Sequence, residues 1–553
     1  MKTDRRLVLL AVLLLTVLGF FVFPGSTYLQ QDTQIWAPMM EHLRDNTVLD
    51  RDMLARRPHL AYTIYDEATL LVSRLTGLPL EYPLRLQQAI ARALGIYGVW
   101  LLACSAGLPS LLALLVAGFY SLGATIAGPA VLTLEYEPTP RGIAGPLLMF
   151  SLGLAVSQRS LAAGLACGLA FLYHPPTAVP VLLAYLLLAL WPGQMSGRGS
   201  RLRLWLPLAA SFLLLFVFAK LQAGIREPQE LFGRIEPELE KLQRFRGAYN
   251  WISTWRPQLI QHFEFAGLMA IAALIRLRSF LSSPLRLLML CLTLAGWVGT
   301  LLSYVLLEGL KWSLIPQIQP ARALAFTVLF AGIGSAIAAI RAVQAHRFWE
   351  AFAWFLVVYA IPMQSEILPL LLPDLRSAQI AVRWLVLLGS AGLAVLSVSS
   401  ALKPGWVGVA LVFSALLAPI ALNPTIARVV NYPDLHHAEI YELSAWAQTR
   451  TPKHSVFLFA GFGKDLDAGI FRARALRNIY VDWKGGGQVN MLREFAEEWW
   501  KRWTATLEKE FTPQRIPQLA GLGIDYIVLR PSQKVQGYTP AYENSRFVVY
   551  LIR

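Results

Sequence analysis

The chain has 553 residues, of which 56% are hydrophobic and only 15% are charged, and its mean hydropathy is +0.49. Soluble globular proteins carry fewer apolar and more charged residues, so this composition excludes a soluble enzyme and predicts a polytopic membrane protein. The formal net charge is +15, but the sequence has no basic stripe interleaved with aromatic residues. Nucleic acid is therefore not expected as a partner, and anionic lipids of the inner leaflet are the expected partners of the arginines.

Apolar segments recur from the N-terminus to residue 422 and then stop. They predict a mainly α-helical transmembrane bundle of about thirteen spans. The segments are 1–23, 86–102, 111–126, 143–156, 161–172, 178–190, 204–218, 259–275, 287–307, 323–340, 352–361, 380–398 and 407–422. The first resembles a signal peptide but lacks a small-residue cleavage site, so we expect it to remain as an anchor.

Charge asymmetry between the connections predicts the orientation of the spans. With the N-terminus inside, the short inner connections contain Arg159, Arg198, Arg201, Arg203, Arg276, Arg278, Arg286, Arg341, Arg347 and Lys403, whereas the short outer ones contain only Arg141, Lys311, Arg322 and Arg376. This bias is the positive-inside pattern. An odd number of spans then places the loops 24–85 and 221–258 and the C-terminal segment outside the cytoplasm.

Two domains are predicted. Residues 1–422 form the membrane domain, which includes the outer loop 24–85, and residues 423–553 form a small extracytoplasmic α/β domain. Helices are expected at 438–449 and 492–509, and strands at 456–459, 478–482, 524–529 and 546–552. In this domain, Asp482-Trp483-Lys484 precedes three glycines that are suited either to cradle a phosphate or a glycan or to form a plain turn.

Asp32 follows the first apolar segment, near the start of the long outer loop. Thr33 is predicted to cap a helix that begins near Ile35, and the apolar face of that helix, with Met39 and Met40, is expected to rest on the membrane surface. A carboxylate at this position is suited to act on a substrate delivered by the lipid. In the structural alternative, Asp32 caps the helix or interacts with its dipole.

Two further acidic pairs lie in the outer loops. Asp66 and Glu67 belong to a predicted amphipathic helix at 60–75, where they would bind a metal or position a sugar, unless they form a solvated face. Glu135 and Glu137 lie in a proline-stiffened turn near the membrane boundary. An internal ion pair between Glu137 and Arg141 is the structural alternative there.

Basic and polar candidates lie at the outer ends of later spans. His174 precedes two prolines that mark a helix boundary, and its alternative role is structural. Lys311, Gln319 and Arg322 belong to one segment that leads into an apolar helix. Arg322 lies in the first turn of that helix, where the dipole favours an anion, so a phosphate is the expected ligand. The alternative is snorkelling of Arg322 towards lipid headgroups.

The layout and the sequence Gln31-Asp32-Thr33 resemble the GT-C superfamily of membrane glycosyltransferases. The shared layout is an inside N-terminus, one span, an outer loop that opens with an acidic residue, many further spans and an outer C-terminal domain. The resemblance implies transfer of a sugar from a polyprenyl phosphate or diphosphate to a glycan, lipid or protein acceptor outside a bacterial inner membrane. It also implies that Asp32 is the general base of an inverting reaction and that Glu135 or Glu137 is a second acidic site.

The resemblance further implies how the donor phosphate is held. Arg322, helped by Lys311 and His174, would stabilise the charge that grows on the leaving phosphate. A divalent cation, Mg²⁺ or Mn²⁺, would bridge Glu135 or Glu137 and the phosphate. The sequence lacks the Trp-Trp-Asp motif of oligosaccharyltransferases, because Lys501 follows the tryptophan pair at 499–500, which argues against peptide N-glycosylation.

Two alternatives of other classes remain. A membrane transporter would also carry polar residues among its spans, but here they gather at one surface and no internal repeat is evident. A polysaccharide polymerase or ligase also meets lipid-linked sugar outside the cytoplasm. The loop 221–258, with Arg226, Arg234, Arg244 and Arg246, is compatible with that function.

Overall fold

The computed structural model describes residues 5–21, 24–57, 63–126, 128–195, 197–221, 232–361, 378–400, 410, 414 and 436–553. Over these residues the protein is mainly helical, with a small sheet near the C-terminus. The predicted last span, 407–422, lies outside the described residues except for two isolated positions, and so does the predicted domain boundary at 422.

Sixteen α-helices lie in the described part of the chain up to residue 400. They are α1 (Arg5–Phe21), α2 (Thr33–Arg44), α3 (Tyr65–Thr76), α4 (Glu81–Ser105), α5 (Ser110–Leu122), α6 (Pro140–Val156), α7 (Ser160–Tyr173), α8 (Pro175–Leu190), α9 (Arg198–Leu221), α10 (Pro237–Arg246), α11 (Pro257–Arg276), α12 (Ser283–Leu302), α13 (Ile315–Ile318), α14 (Leu324–Gln344), α15 (Phe348–Ala360) and α16 (Ala378–Ser400), counted within the described residues. Each predicted apolar segment from 1–23 to 380–398 overlaps one of these helices.

Five helical stretches in the described part of the chain are long and apolar enough to cross a membrane. They are Glu81–Ser105, Gly199–Leu221, Pro257–Arg276, Ser283–Gly309 and Ile315–Gln344. Other apolar helices, such as α5 and α7, are shorter than the roughly 20 residues that an upright span needs. Length and composition therefore identify an integral membrane protein, while the predicted number and orientation of the spans stay predictions.

The helices of the bundle differ in how much apolar surface they expose. Leu206 and Leu213 on α9 are 71% and 65% exposed, as expected for side chains that face lipid. The helices α4 and α6 instead approach closely, because a Cβ added to Gly98 would clash with the backbone of Met149 and Phe150. Small residues at such a contact let two membrane helices pack backbone to backbone.

The C-terminal segment forms a five-stranded sheet with helices packed around it. Its helices are α17 (Ala438–Arg450), α18 (Asp467–Ala475), α19 (Arg493–Ala505) and α20 (Ile516–Gly521). A short hairpin earlier in the chain comprises β1 (Thr125–Ile126) and β2 (Val131–Leu132); the C-terminal strands are β3 (Val456–Phe459), β4 (Asn478–Ile479), β5 (Tyr526–Leu529), β6 (Tyr542–Glu543) and β7 (Val548–Leu551). The strand order is β4-β3-β5-β7-β6, with β4, β3 and β5 parallel and β7 antiparallel to both of its neighbours.

The outer loop and the C-terminal segment pack on each other. Ile35 and Met39 of α2 are buried in the same apolar cluster as Phe495 and Trp499 of α19. The expectation that this face of α2 rests on the membrane surface is therefore wrong, because the face is covered by protein. Helix α2 also begins earlier than expected, since Thr33 is its first residue rather than its cap.

A buried ionic network joins the same two parts of the chain. The Arg472 guanidinium lies between Asp52 of the outer loop and Asp482 of the C-terminal segment, and its Nε donates to Asp52 Oδ2 at 2.8 Å. Asp482 Oδ2 in turn accepts from the backbone N–H of Gly485 at 3.0 Å. This network fixes the position of the intervening Lys484 relative to the outer loop.

Candidate active site

A cavity of about 650 Å³ lies where the outer loop, the turn after β2 and the C-terminal segment meet. Its lining carries three acidic side chains, Asp32, Glu135 and Glu137, and five basic ones, Arg141, Arg246, Arg322, Lys464 and Lys484. His174 and Gln319 also line it. Charged side chains from distant parts of the sequence therefore converge on one space with an excess of positive charge.

The Asp32 carboxylate is held between two cations. Oδ1 lies 2.6 Å from Lys484 Nζ, and Oδ2 lies 2.7 Å from the Arg141 guanidinium. Burial by itself would raise the pKa of Asp32, but Lys484 and Arg141 more than offset it and hold this pKa well below its usual range. Asp32 occupies the N-cap position of α2 without a side-chain capping hydrogen bond, so capping does not account for its side chain.

Glu137 organises the loop that carries Asp32. Its Oε1 accepts from the backbone N–H groups of Gln30 and Gln31 at 2.9 and 2.8 Å, and its Oε2 accepts from that of Asp32 at 2.6 Å. The backbone N–H of Thr33 donates to Oε2 at 3.3 Å, and the Thr33 hydroxyl donates to Oε1 at 2.5 Å. Burial raises the pKa of Glu137, whereas these donors oppose that shift. The carboxylate therefore serves as the anchor of this turn.

Glu135 and Arg141 form the opposite wall. Arg141 Nε donates to Glu135 Oε1 at 2.8 Å, and the backbone N–H of Leu132 donates to the same oxygen at 3.1 Å. The predicted ion pair between Glu137 and Arg141 is wrong, because Glu137 is occupied by backbone donors and Arg141 bridges Glu135 and Asp32. The buried Arg92, which the sequence analysis did not single out, donates to the carbonyl oxygen of Glu135 at 2.6 Å.

Arg322 reaches the cavity from the 3₁₀ turn Pro320–Ala323, which precedes α14, and so lies just before the first turn of the apolar helix in which it was predicted. Its Nε donates to the carbonyl oxygen of Pro129 at 3.3 Å, and its guanidinium lies 5.4 Å from the centroid of the Tyr249 ring. In the described part of the chain Arg322 forms no ion pair. The preceding Gln319 has a φ of 48°, and this left-handed turn ends the short helix before Arg322.

His174 lies in the connection between α7 and α8 as the N-cap of α8. Its Nδ1 accepts from the backbone N–H of Thr177 at 3.3 Å. Burial first, and then the positive charges of Arg322 and Arg141, lower the pKa of His174 to about 3. The imidazole is therefore neutral at neutral pH, and with Nδ1 as an acceptor it carries its proton on Nε2.

An apolar cavity of about 270 Å³ adjoins the charged one. Both cavities are lined by Val131, Leu132, Glu135, Arg141, Gln319 and Arg322. The remainder of the apolar wall comes from α6, α8, α12 and α14, with residues such as Leu183, Val298 and Leu302. Because these helices belong to the membrane bundle, a hydrocarbon chain and an attached polar group fit the two cavities together.

Three predicted binding residues lie apart from the cavity lining. Lys311 is paired with Glu240 of α10 at 2.6 Å. Asp66 and Glu67 lie in the first turn of α3. Asp66 is only 2% exposed, so it does not form a solvated face, and burial, with added repulsion from Glu67, raises its pKa well above the usual range.

The acidic residues of the cavity do not fit a divalent metal ion. Both oxygens of Asp32 and both oxygens of Glu137 are occupied by donors, and Glu135 is bound to Arg141. No group of three or more His, Cys, Asp or Glu side chains suited to a metal occurs among the residues that the structure describes. A hard cation needs several free oxygen ligands, so the predicted Mg²⁺ or Mn²⁺ bridge has no support in this donor set.

Some residues of the cavity were noticed in the sequence without a role. Lys484 belongs to the distinctive stretch before the three glycines, and Arg246 belongs to the arginine-bearing loop. Gly485–Gln488 is a buried 3₁₀ turn, and a Cβ on Gly486 would clash with the Trp499 indole. The glycines therefore permit close packing, which brings Lys484 to Asp32.

A search of solved structures finds weak similarity to ArnT and AftD. ArnT from Cupriavidus metallidurans bound to undecaprenyl phosphate is 15% identical at a TM-score of 0.38, with 100% of this chain and 98% of that chain covered. Arabinofuranosyltransferase AftD from Mycobacteria is 13% identical at a TM-score of 0.44, and the chain spans only 40% of its length. A mutant of AftD gives a TM-score of 0.46 over 42% of its length.

With TM-scores below 0.5 and identities of at most 15%, these matches do not by themselves assign a function to the chain. No protein-family profile matches the sequence, and no curated protein matches it.

Proposed function

We propose that the protein is a membrane glycosyltransferase that moves a sugar from a polyprenyl-phosphate-linked donor to an acceptor bound in the charged cavity. The observation that carries the proposal is the junction of the two cavities at Arg141 and Arg322. A ligand for this junction needs an apolar chain, an anionic group and a polar group beyond it. A lipid-linked sugar phosphate has these three parts in this order.

The donor phosphate is assigned to the guanidinium groups of Arg322 and Arg141. Arginine presents a planar set of donors that suits phosphate oxygens, and Arg322 forms no ion pair among the described residues that a phosphate would have to displace. The neutral His174 and the amide of Gln319 line the same region and supply uncharged hydrogen-bond partners. The sugar then projects into the wider part of the cavity, towards Asp32.

In the proposed reaction, Asp32 is the general base. The oxygen of an acceptor hydroxyl attacks the anomeric carbon, its proton passes to an oxygen of Asp32, and the bond between the anomeric carbon and the phosphate oxygen breaks. The departing polyprenyl phosphate keeps the electron pair of that bond. Arg322 and Arg141 stabilise the charge that develops on it. Attack from the side opposite to the phosphate inverts the anomeric centre.

The ion pairs of Asp32 bear on its strength as a base. A carboxylate bound by two cations accepts a proton poorly. A donor phosphate competes for Arg141, which it reaches from the shared wall of the two cavities, and thereby weakens one of these ion pairs. Donor binding would thus make Asp32 a stronger base when the sugar is in place.

The proposal is tested by donor binding to the purified protein in nanodiscs. Arg322→Gln is expected to weaken binding of undecaprenyl phosphate about tenfold or more, since a hydrogen bond to a charged group contributes about 1.5–3 kcal/mol. Arg278→Gln, at an exposed position, is the matched control and should bind as the unaltered protein does. Equal donor binding by Arg322→Gln and the unaltered protein would show that the donor phosphate does not bind at this site. Solute uptake into vesicles that contain only this protein would favour a transporter.

The pH dependence of transfer tests the ion pair between Lys484 and Asp32. Lys484 lowers the pKa of Asp32, so Lys484→Gln is expected to raise it and to increase the protonated, inactive fraction at acidic pH. In the unaltered protein the acid limb of kcat/KM should lie below about pH 4, because the pKa of Asp32 is depressed, and in the variant it should move to higher pH. Lys501→Gln, on the exposed side of α19, should leave the limb in place. An unchanged limb in Lys484→Gln would show that Asp32 is not the titrating group.

A further inference from the structure

The charged cavity has two ends of different construction. One end is shared with the apolar cavity and contains Arg141 and Arg322. The other end is built by the C-terminal segment and the end of α10, and its basic residues Arg246, Lys464 and Lys484 do not line the apolar cavity. Asp32 touches both sets of cations, because it pairs with Arg141 and with Lys484. A donor that enters from the membrane side leaves the second end for another molecule.

Two cations at the second end are arranged around one indole ring. The Arg246 guanidinium and Lys464 Nζ each lie 4.6 Å from the centroid of the Trp483 ring. Arg246 Nε also donates to the carbonyl oxygen of Trp483 at 2.7 Å, and Lys464 Nζ lies 5.0 Å from the centroid of the Phe245 ring. These contacts hold both cations at the cavity wall without neutralising them.

Neither Arg246 nor Lys464 forms an ion pair with any residue that the structure describes. This differs from Lys484, whose charge is balanced by Asp32 at 2.6 Å. Two cations on the wall of one cavity, neither of them in an ion pair, favour the binding of an anion there. The wall also carries the side chain of Gln488 and the phenol of Tyr249, which are suited to hydrogen bonds with sugar hydroxyls.

We infer that this second end is an acceptor subsite for an anionic glycan, in which Arg246 and Lys464 bind a phosphate or carboxylate group of the acceptor. The inference deepens the proposed function, on which it rests, by naming the acceptor class. An anionic group held at Arg246 and Lys464 places the neighbouring sugar ring between the C-terminal segment and Asp32. A hydroxyl of that ring then lies on the side of Asp32 opposite to the donor phosphate.

The test uses the full chain in phosphatidylcholine nanodiscs that contain saturating undecaprenyl phosphate, so that the donor phosphate site is filled. Glucose 6-phosphate and methyl glucoside are titrated separately by calorimetry. Saturable binding of the sugar phosphate and at least tenfold weaker binding of the neutral glycoside are expected. The double variant Arg246→Gln/Lys464→Gln is expected to bind glucose 6-phosphate at least tenfold more weakly, whereas Lys501→Gln should bind it normally.

Because Arg246 also binds backbone carbonyl groups, Lys464→Gln alone is measured as well. Lys464 is exposed and its side chain makes no hydrogen bond to the described residues, so this variant should fold normally and bind the sugar phosphate about threefold more weakly or worse. Equal affinity of Lys464→Gln and the unaltered protein, or equal affinity for the two sugars, would overturn the inference. Undecaprenyl phosphate binding is measured in Lys464→Gln as well. If it is unchanged, the altered binding of the sugar phosphate does not come from failure of the donor site.

A last arm distinguishes two sources of the same acceptor chemistry. A monophosphorylated glycolipid added to the nanodisc competes with glucose 6-phosphate if the acceptor is carried by a lipid. Displacement supports a membrane-borne anionic glycan, and binding of the free sugar phosphate without displacement supports a soluble one. If the unaltered protein binds neither glucose 6-phosphate nor the glycolipid, the inference is overturned.

Discussion

Asp32→Asn is expected to lower sugar transfer about 10²–10⁴-fold while leaving donor binding intact, because general-base catalysis contributes a factor of this size. Asparagine keeps the shape of the side chain but cannot accept the proton of the acceptor hydroxyl. Removal of the carboxylate also leaves Lys484 and Arg141 with more positive charge for the phosphate. Undecaprenyl phosphate should therefore bind at least as tightly to the variant as to the unaltered protein.

The measurement is single-turnover transfer from a polyprenyl-linked sugar, paired with donor binding and thermal unfolding of the same preparation. Lys501→Gln provides the control for a charge change in the C-terminal segment away from the cavity. If Asp32→Asn transferred sugar at the rate of the unaltered protein, Asp32 would not be the general base. A loss of donor binding that parallels the loss of transfer would assign Asp32 a role in binding instead.

The sequence predicted the helical bundle because long apolar runs carry their own signal. It also predicted β3 at 456–459 with the observed bounds, since a continuous buried run bounded by turns marks a strand. Helix α18, at Asp467–Ala475, was missed because its sequence contains few apolar residues in a helical period. The two-residue strand β6 is too short to leave a pattern.

The apolar face of α2 shows a different limit. Its helical period was visible in the sequence, but Ile35 and Met39 contact the C-terminal segment rather than lipid. Hydropathy measures the cost of exposing a side chain to water, and it does not distinguish a lipid partner from a protein partner. The location of the helix was therefore predictable, whereas the identity of its neighbour was not.

The candidate site was predictable in its membrane-proximal half. Asp32, His174, Gln319 and Arg322 were selected from their positions at the ends of apolar segments, and all four line the cavity. Lys484 was not assigned to Asp32, because the two residues lie far apart in the sequence and no local pattern connects them. Only the packing of the C-terminal segment on the outer loop brings them together.

The role of Glu137 was hidden for another reason. Its partners are backbone N–H groups of residues 30–33. Almost every residue type has such a group, so the sequence does not reveal which of them bind a carboxylate. A search for an opposite charge nearby led to Arg141 instead. The observed arrangement is an anion-binding turn that is filled by the protein's own carboxylate.

Glu137→Gln is accordingly expected to disturb the turn that carries Asp32 and to lower both stability and transfer. The amide has one oxygen where the carboxylate has two, and its NH₂ group faces donors that it cannot satisfy. Each buried donor left without an acceptor costs about 1–3 kcal/mol. Transfer is expected to fall about tenfold or more, because misplacement of a catalytic group by a small distance lowers the rate severely.

Comparison with Asp32→Asn separates positioning from catalysis. Glu137→Gln should lower the thermal unfolding midpoint together with the transfer rate, whereas the rate loss in Asp32→Asn should exceed any change in its midpoint. Glu497→Gln is the matched control, because Glu497 lies 59% exposed beside Arg493 on α19 and its substitution should alter neither quantity. If Glu137→Gln lost transfer with an unchanged midpoint and an unchanged acceptor KM, the carboxylate would itself act on the substrate. Glu137 would then be a second catalytic acidic residue. The four backbone N–H donors would in that case stabilise its ionised form rather than hold the turn.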